Sequence, residues 1–224
     1  LAFGDRIVIR GFEARGDIFI DGMRDPGVVS REAFNVEQIE IVKGPGSAYT
    51  GRGATGGSVN IITKQPFARN MYAADVTFGT DATKRVTVDV NQKVTDTVAF
   101  RINGMWHDAD VAGRDEVFYK RWGIAPSITF GLGTPTRVTL SYYHLSTDEL
   151  PDYGHPFNAA TQEPMRVQRE NFYGLTGRDF RKTTADVGNV LFEHSFNDDL
   201  KVRSQFRFGY TTNDYVASAP EQPN

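Results

Sequence analysis

Apolar and polar side chains alternate with a period of two along most of the chain after residue 70. Val86, Val88 and Val90 share one side of one such run, and the residues between them are polar. Alternation of this kind predicts a β-strand with one apolar and one polar face. Most of the runs are close to the ~10 residues that a tilted membrane-spanning strand requires. Seven strands are predicted, at 70–79, 84–94, 97–109, 118–131, 136–147, 184–196 and 200–213.

The connections between the predicted strands differ in length. Residues 110–117 form a moderate connection and residues 148–183 a long one, whereas the others are short. Short turns at one end and longer loops at the other are typical of an outer-membrane barrel with a polar lumen. Packed sandwiches also alternate, so the periodicity leaves a membrane barrel and a soluble sandwich or jelly roll both open.

Residues 1–66 have a different character, with short strand-like runs separated by glycine turns. A short helix is predicted at 29–35 with Ser30 as its N-cap, and one helical turn at 45–50. The sequence therefore predicts a small mixed unit at 1–66, followed by a strand domain at 67–224.

Composition excludes several classes of function. A net charge of −3 gives no strong basic field for a nucleic-acid partner. The absence of cysteine excludes a disulfide scaffold, a thiolate zinc site and a cysteine nucleophile. His107 and Asp108 suggest a metal site, but they lie at a strand end where solvated polar residues are expected, and the other three histidines form no ligand spacing. No nucleophile elbow or paired-carboxylate site is present, so an enzyme has no positive support.

Two regions carry candidate binding chemistry. The turn cluster at 21–27 contains Arg24 and Asp25, with Arg31 shortly after; it is either a plain exposed loop or a cationic tip for an anionic ligand. The long segment at 146–183 is rich in aromatic residues, which favours a role in stacking on an aromatic ligand. Its candidate residues are Tyr153, His155, Phe157, Phe172 and Tyr173.

Several stretches together resemble a TonB-dependent siderophore receptor of the catecholate type. The most specific stretch is FNVEQIEIVKGPGSAYTGRGATGGSVNIITKQP at 34–66, and the resemblance covers essentially the whole chain. The other stretches are IDGMRD at 20–25, GRDEVFYKRWGIAPSITFGLGTPTRVTLSYYHL at 113–145, PDYG at 151–154 and NFYGLTGRDFRKT at 171–183.

The resemblance implies a mainly β fold: about seven strands of a 22-stranded transmembrane antiparallel β-barrel, with part of a small α+β plug domain. It implies a bacterial outer-membrane receptor that binds ferric siderophore and imports it with the TonB complex. Outer-membrane lipid is then a partner, whereas nucleic acid is not. No cofactor or metal ligand is expected because the iron arrives already chelated. The TonB box is expected before Leu1, and about two thirds of the barrel strands after Asn224.

The resemblance also assigns roles to residues. A ferric catecholate is aromatic and multiply anionic, so the expected substrate-binding residues are the cationic tip (Arg24, Asp25, Arg31) and the five aromatic loop residues named above. The expected residues of structural importance between plug and barrel are Arg10, Gly11, Glu40, Arg52 and Gly53.

Lumen-facing cations such as Arg101 are expected either to guide the anion or to pair with plug carboxylates such as Glu37 or Glu40. Two alternatives to the catecholate assignment stay open at this point. One is a TonB-dependent receptor for a hydroxamate siderophore, haem or cobalamin, and the other is a soluble β-rich binding domain.

Overall fold

The computed structural model describes residues 7–13, 16–25, 30–44, 46, 56–158 and 160–220 of the chain. Every regular element in these residues is a β-strand. No helix in the described residues is long and apolar enough to cross a membrane. The chain divides into two compact units, Phe3–Gln65 and Pro66–Asn224.

The first unit is a four-stranded mixed sheet with a small additional hairpin. The sheet order is β4-β3-β6-β5, with β3 parallel to β6 and the other pairs antiparallel. Ile9 and Val59 form a buried apolar contact against which Ile7 and Ile61 pack. The strands are β1 Val8–Ile9, β2 Phe12–Glu13, β3 Ile18–Ile20, β4 Met23–Arg24, β5 Val36–Lys43 and β6 Gly57–Thr63.

The helix predicted at 29–35 is wrong over its described residues, 30–35, which contain one bend and one turn. The backbone N–H of Val36 donates to the carbonyl of Ala33, which closes that turn at 3.1 Å. Lys64 Nζ donates to the carbonyl of Phe34 at 3.0 Å. The turn and the contact with Lys64 fix a non-helical path here, so tertiary contacts override the N-cap signal. Of the predicted helical turn at 45–50, only Gly46 is described, and it lies outside any regular element.

The second unit contains one seven-stranded antiparallel sheet of order β7-β8-β9-β10-β11-β14-β15, and a small hairpin of β12 with β13. All seven predicted strands are present, with most bounds within two residues; the prediction for β14 began four residues late. The strands are β7 Met71–Phe78, β8 Lys84–Lys93, β9 Val98–Asp110, β10 Phe118–Phe130, β11 Thr136–Glu149, β12 Phe157–Asn158, β13 Glu163–Pro164, β14 Phe180–Ser195 and β15 Lys201–Val216.

The two faces of this sheet are the reverse of those in a water-soluble protein. Phe206 and Phe208 are each 68% exposed, whereas Thr129 and Arg181 on the opposite face are 1% exposed. A packed sandwich buries its apolar face, so this arrangement argues against the soluble alternative. Apolar side chains outward and polar side chains inward are typical of a membrane barrel wall.

Arg101 shows how the polar face satisfies its charges. Its guanidinium binds both carboxylate oxygens of Asp89 on the neighbouring strand, each at 2.8 Å. This ion pair lies within the sheet itself, and the predicted guiding role or pairing with a plug carboxylate stays a prediction. Such pairing lets a buried cation remain charged.

The turn between β10 and β11 provides a test of backbone geometry. Gly131 and Gly133 have φ of 78° and 73°, and a Cβ added at Gly131 would clash with the carbonyl of Thr136, whereas one added at Gly133 meets nothing within 4 Å. We expect Gly133→Ala to destabilise the full-length protein by about 1 kcal/mol. Gly131→Ala is expected to cost clearly more, measured as the urea midpoint in detergent micelles. Equal midpoints for the two variants would contradict this account.

Candidate functional site

The predicted cationic tip lies in the first unit, and each of its arginines has a carboxylate partner. Arg31 contacts Asp25 Oδ2 through its Nε at 3.1 Å and its Nη2 at 2.9 Å. Arg24 lies 3.7 Å from Asp17, donates to the carbonyl of Gly16 and covers the ring of Phe19. The Arg24 side chain is 30% exposed and that of Arg31 is 15% exposed, so Arg24 is the more accessible cation.

Asp25 has a positioning role in this geometry. It is 8% exposed, and its backbone N–H donates to the carbonyl of Ile18 at 2.8 Å. Its carboxylate therefore holds the Arg31 guanidinium beside the end of β4. Because the Asp25 carboxylate is buried and paired with the Arg31 guanidinium, it determines the shape of the tip and adds no positive charge to it.

The long loop of the second unit is organised around Arg114, which sequence reasoning missed. The Arg114 guanidinium binds both oxygens of Asp152 at 2.7 and 2.9 Å. It also donates to Nε2 of His155 at 2.9 Å and to the carbonyl of Arg169. One side chain on the 110–117 connection thus holds two separate parts of the 150–179 segment. The GRDE and PDYG strings contained both partners, but their separation of 38 residues gave no sign of the contact.

The aromatic residues of this loop fall into two groups. His155 and Tyr173 form an edge-to-face pair with ring centres 5.9 Å apart, and the Tyr173 hydroxyl donates to the carbonyl of Gln168 at 2.8 Å. Tyr153 and Phe157 are instead 43% and 47% exposed. Phe172 borders Gly174, where an added Cβ would clash with its ring. The exposed pair is available for stacking, whereas the edge-to-face pair stabilises the loop.

The end of the loop is fastened by Asp179, a second residue that the sequence did not single out. Its carboxylate accepts from the backbone N–H groups of Leu175 at 3.1 Å and Ser218 at 2.9 Å, and from the Ser218 hydroxyl at 2.8 Å. Burial raises the pKa of the Asp179 carboxyl, but these hydrogen bonds together outweigh burial and hold the pKa below its usual value.

The polar face of the sheet carries a second network close to this loop. Glu149 accepts from Arg121 at 2.8 Å and from Arg181 at 3.3 Å. Arg181 also donates to Asn213 at 3.3 Å, so the network spans β10, β11, β14 and β15. Glu149 and Arg181 are 4% and 1% exposed, which favours a role in bracing the strands over direct contact with a ligand.

The remaining predicted site residues are distributed as follows. Arg10 and Gly11 form the two-residue turn between β1 and β2, with φ of 51° and 83°, as a type I′ hairpin requires. Glu40 accepts from Asn60 at 2.9 Å. Arg52 and Gly53 lie outside the described residues. In the described part of the chain, no three His, Asp or Glu side chains are grouped so as to hold a metal ion.

Comparison with known proteins agrees with this geometry. Residues 2–58 match the family model of the TonB-dependent Receptor Plug Domain. The chain is 40% identical to the probable TonB-dependent siderophore receptor PiuA of Acinetobacter baumannii and to the catecholate siderophore receptor Fiu of Escherichia coli K12. The alignments cover 97% and 96% of this chain, which spans 30% of the length of each relative.

The predicted resemblance to TonB-dependent siderophore receptors is confirmed. The crystal structure of PiuA superposes with a TM-score of 0.91 over 96% of this chain and 31% of that chain, at 40% identity. The closed form of Fiu gives 0.90 over 96% of this chain and 32% of that chain, at 39% identity. The pyoverdine receptor FpvA of Pseudomonas aeruginosa, at 17% identity, shares the fold with a TM-score of 0.83. The fold class is therefore confirmed: mainly β, with part of a plug and part of a transmembrane barrel. The relatives are named as receptors and transporters rather than enzymes.

Arg114 is expected to keep the long loop ordered. Arg114→Ala in the full-length protein removes the contacts to Asp152 and His155, so amide hydrogen exchange across 150–179 should accelerate by about tenfold or more. The matched control is Arg166→Ala, in the same loop but exposed. An exchange pattern in Arg114→Ala indistinguishable from that of the control would contradict the assignment.

Asp179 is expected to make the base of the loop sensitive to acid. Because its pKa is lowered on folding, the stabilisation is fully present above the usual aspartate pKa and is lost as the pH falls through the folded-state pKa. At low pH the Ser218 amide of the wild type should exchange its hydrogen faster. Asp179→Asn should show the same faster exchange already at neutral pH. Asp198→Asn, in the short turn before β15, serves as control. A pH-independent Ser218 amide, after correction for intrinsic exchange, would refute this role.

Proposed function

We propose that the full-length protein containing this chain is an outer-membrane receptor that binds a ferric catecholate siderophore and imports it with the TonB complex. The observation that carries this proposal is the 40% identity with the receptor Fiu over 96% of the chain. The exposed apolar face of the seven-stranded sheet supports the outer-membrane location.

We assign recognition of the ferric catecholate to charge attraction by arginines and to stacking on aromatic rings. A ferric catecholate carries several negative charges, which Arg24 attracts and Arg31 reinforces, while Asp25 keeps Arg31 in place. Tyr153 and Phe157 offer exposed rings to the catechol groups, and His155, Phe172 and Tyr173 complete the aromatic loop. The iron is cargo held by its chelator, so the receptor supplies no ligand to it and needs no cofactor.

The plug residues have a structural part in this proposal. Arg10 and Gly11 fix a tight turn, and Glu40 is held by Asn60 across β5 and β6. We assign these residues, with Arg52 and Gly53, a structural role in the plug rather than a role in recognition.

A ferric hydroxamate is the second candidate cargo, because the names of two more distant relatives indicate it. The chain is 27% identical to the ferrichrome outer membrane transporter of Escherichia coli K12 and 26% identical to the ferrioxamine receptor of Yersinia enterocolitica. Both values are well below the 40% identity with Fiu, which favours catecholate.

Uptake of radiolabelled iron by cells expressing the full-length protein tests the proposal. Ferric catecholate should be imported in a TonB-dependent manner, and ferric hydroxamate should not. Arg24→Ala combined with Arg31→Ala should weaken ferric-catecholate binding by about tenfold at low salt, and by less at high salt because screening weakens the charge contribution. Lys43→Ala, which removes an exposed cation elsewhere in the plug unit, is the control.

Two results would overturn these assignments. Uptake of hydroxamate iron alone would refute the catecholate cargo. Unchanged catecholate affinity in the double arginine variant at low salt would refute the role of the tip while leaving the cargo intact.

A further inference from the structure

The segment 151–156, which we call the PDYGHP turn, carries an exposed tyrosine between two buried ends. Pro151 and Pro156 are buried, and proline has a fixed φ that limits the conformation of each end. The carbonyl of Pro156 also accepts from the backbone N–H of Met165 at 2.9 Å. Tyr153 is 43% exposed, so its ring is the accessible part of an anchored turn.

Asp152 fixes the backbone of the turn around this tyrosine. Its Oδ1 accepts from the backbone N–H of Gly154 at 2.8 Å, so the bond closes across Tyr153. Gly154 has a φ of 88°, in the left-handed region that favours glycine. The same carboxylate binds the Arg114 guanidinium through Oδ2 at 2.7 Å and Oδ1 at 2.9 Å. Asp152 therefore joins the backbone of the turn to a side chain of the 110–117 connection.

His155 provides a second link on the other side of the tyrosine. Its Nε2 accepts from Arg114 at 2.9 Å, and its ring packs edge-to-face on Tyr173 with ring centres 5.9 Å apart. Arg114 thus holds the turn at residue 152 and at residue 155, with Tyr153 between these two contacts.

The Arg114 guanidinium is occupied by the protein itself. Nε and Nη2 bind Asp152, and Nη1 contacts His155 and the carbonyl of Arg169. Each of its three nitrogens therefore has a protein partner. The Arg114 side chain is 11% exposed, against 30% for Arg24. A cation that is paired and buried in this way is poorly placed to attract an anionic ligand.

We infer that Arg114 is a positioning residue for the ferric catecholate and that its charge does not bind the anion. It acts on Tyr153 through Asp152 and His155. A ring that is held in its binding position in advance contributes more to affinity than one on a mobile turn, because less freedom is lost on binding. The inference rests on the proposed function, which assigns Tyr153 to stacking on the catechol groups.

The substitution Asp152→Asn separates positioning from charge attraction by the sign of its effect. If Arg114 attracted the ligand by charge, loss of its carboxylate partner would release a cation and tighten binding. If Arg114 positions Tyr153, the same substitution weakens the hold on the turn and weakens binding. General charge effects are screened at about 1 M salt, where the screening length is about 3 Å, so affinities are compared there.

Equilibrium binding of a ferric tris-catecholate complex to the purified full-length protein in detergent tests the inference. At about 1 M salt, Arg114→Ala and Tyr153→Ala should each weaken binding by about fivefold. The double variant should also lose about fivefold, because both substitutions remove the same ligand contact. Asp152→Asn should weaken binding by about threefold. The matched control is Arg166→Ala, which removes an exposed cation of the same loop and should bind as the wild type does.

Three outcomes would overturn the inference. They are a loss of about 25-fold in the double variant, unchanged or tighter binding in Asp152→Asn, and an equal loss in Arg166→Ala. Folding of each variant is checked by circular dichroism. If Arg114→Ala does not fold, Asp152→Asn decides the matter alone, because its amide keeps the shape of the carboxylate.

Hydrogen exchange at the Gly154 amide, measured without ligand, distinguishes this inference from the proposed function. Arg114→Ala should accelerate that exchange by about tenfold, and unchanged exchange would show that Arg114 does not hold the turn. A wild-type protein that binds no ferric catecholate would remove the proposed function instead. Accelerated Gly154 exchange in that case still assigns the geometry of the turn to Arg114.

Discussion

Continuous hydrogen bonding between neighbouring strands is the constraint on which this structure depends. A strand can present apolar side chains to lipid only if its backbone N–H and C=O groups are paired within the protein. The seven-stranded antiparallel sheet meets this condition strand by strand, since each strand pairs with its neighbours in sequence order. The period of two then separates the faces, with Phe206 and Phe208 exposed on one and Thr129 and Arg181 buried on the other.

The same sheet provides a rigid frame for the long loop. In its described residues the loop has one small hairpin of its own, made of two strands of two residues each, so its order depends on contacts made with residues at the strand ends. Arg114 fastens its first and middle parts through Asp152 and the carbonyl of Arg169, and Asp179 fastens its last part through Ser218. Aromatic residues can then be held or exposed at defined places, which a free loop of this length would not permit.

The seven strands were predictable because side-chain alternation is a local property, and strand pairing in sequence order required no long-range choice. The late start predicted for β14 has a similar local cause: Arg181 and Thr183 are polar because they face inward, so they resembled loop residues. The helix predicted near Ser30 failed because the chain there forms a turn at Ala33 and is bonded to Lys64 through the carbonyls of Phe34 and Asn35. The candidate arginines and aromatics were identifiable by type, but their carboxylate and ring partners were not.

By itself, the sequence determined the class of fold, the division near residue 66 and the residue types available to contact an anionic aromatic ligand. Each of these follows from local patterns or from a resemblance carried by continuous stretches of sequence. Only the tertiary structure decided which charges face one another. Arg114 meets Asp152 across 38 residues, and Arg101 meets Asp89 on the neighbouring strand. Strand register sets the second contact, and register depends on pairing along the whole length of each strand. The first contact joins two loops that the strand ends bring together.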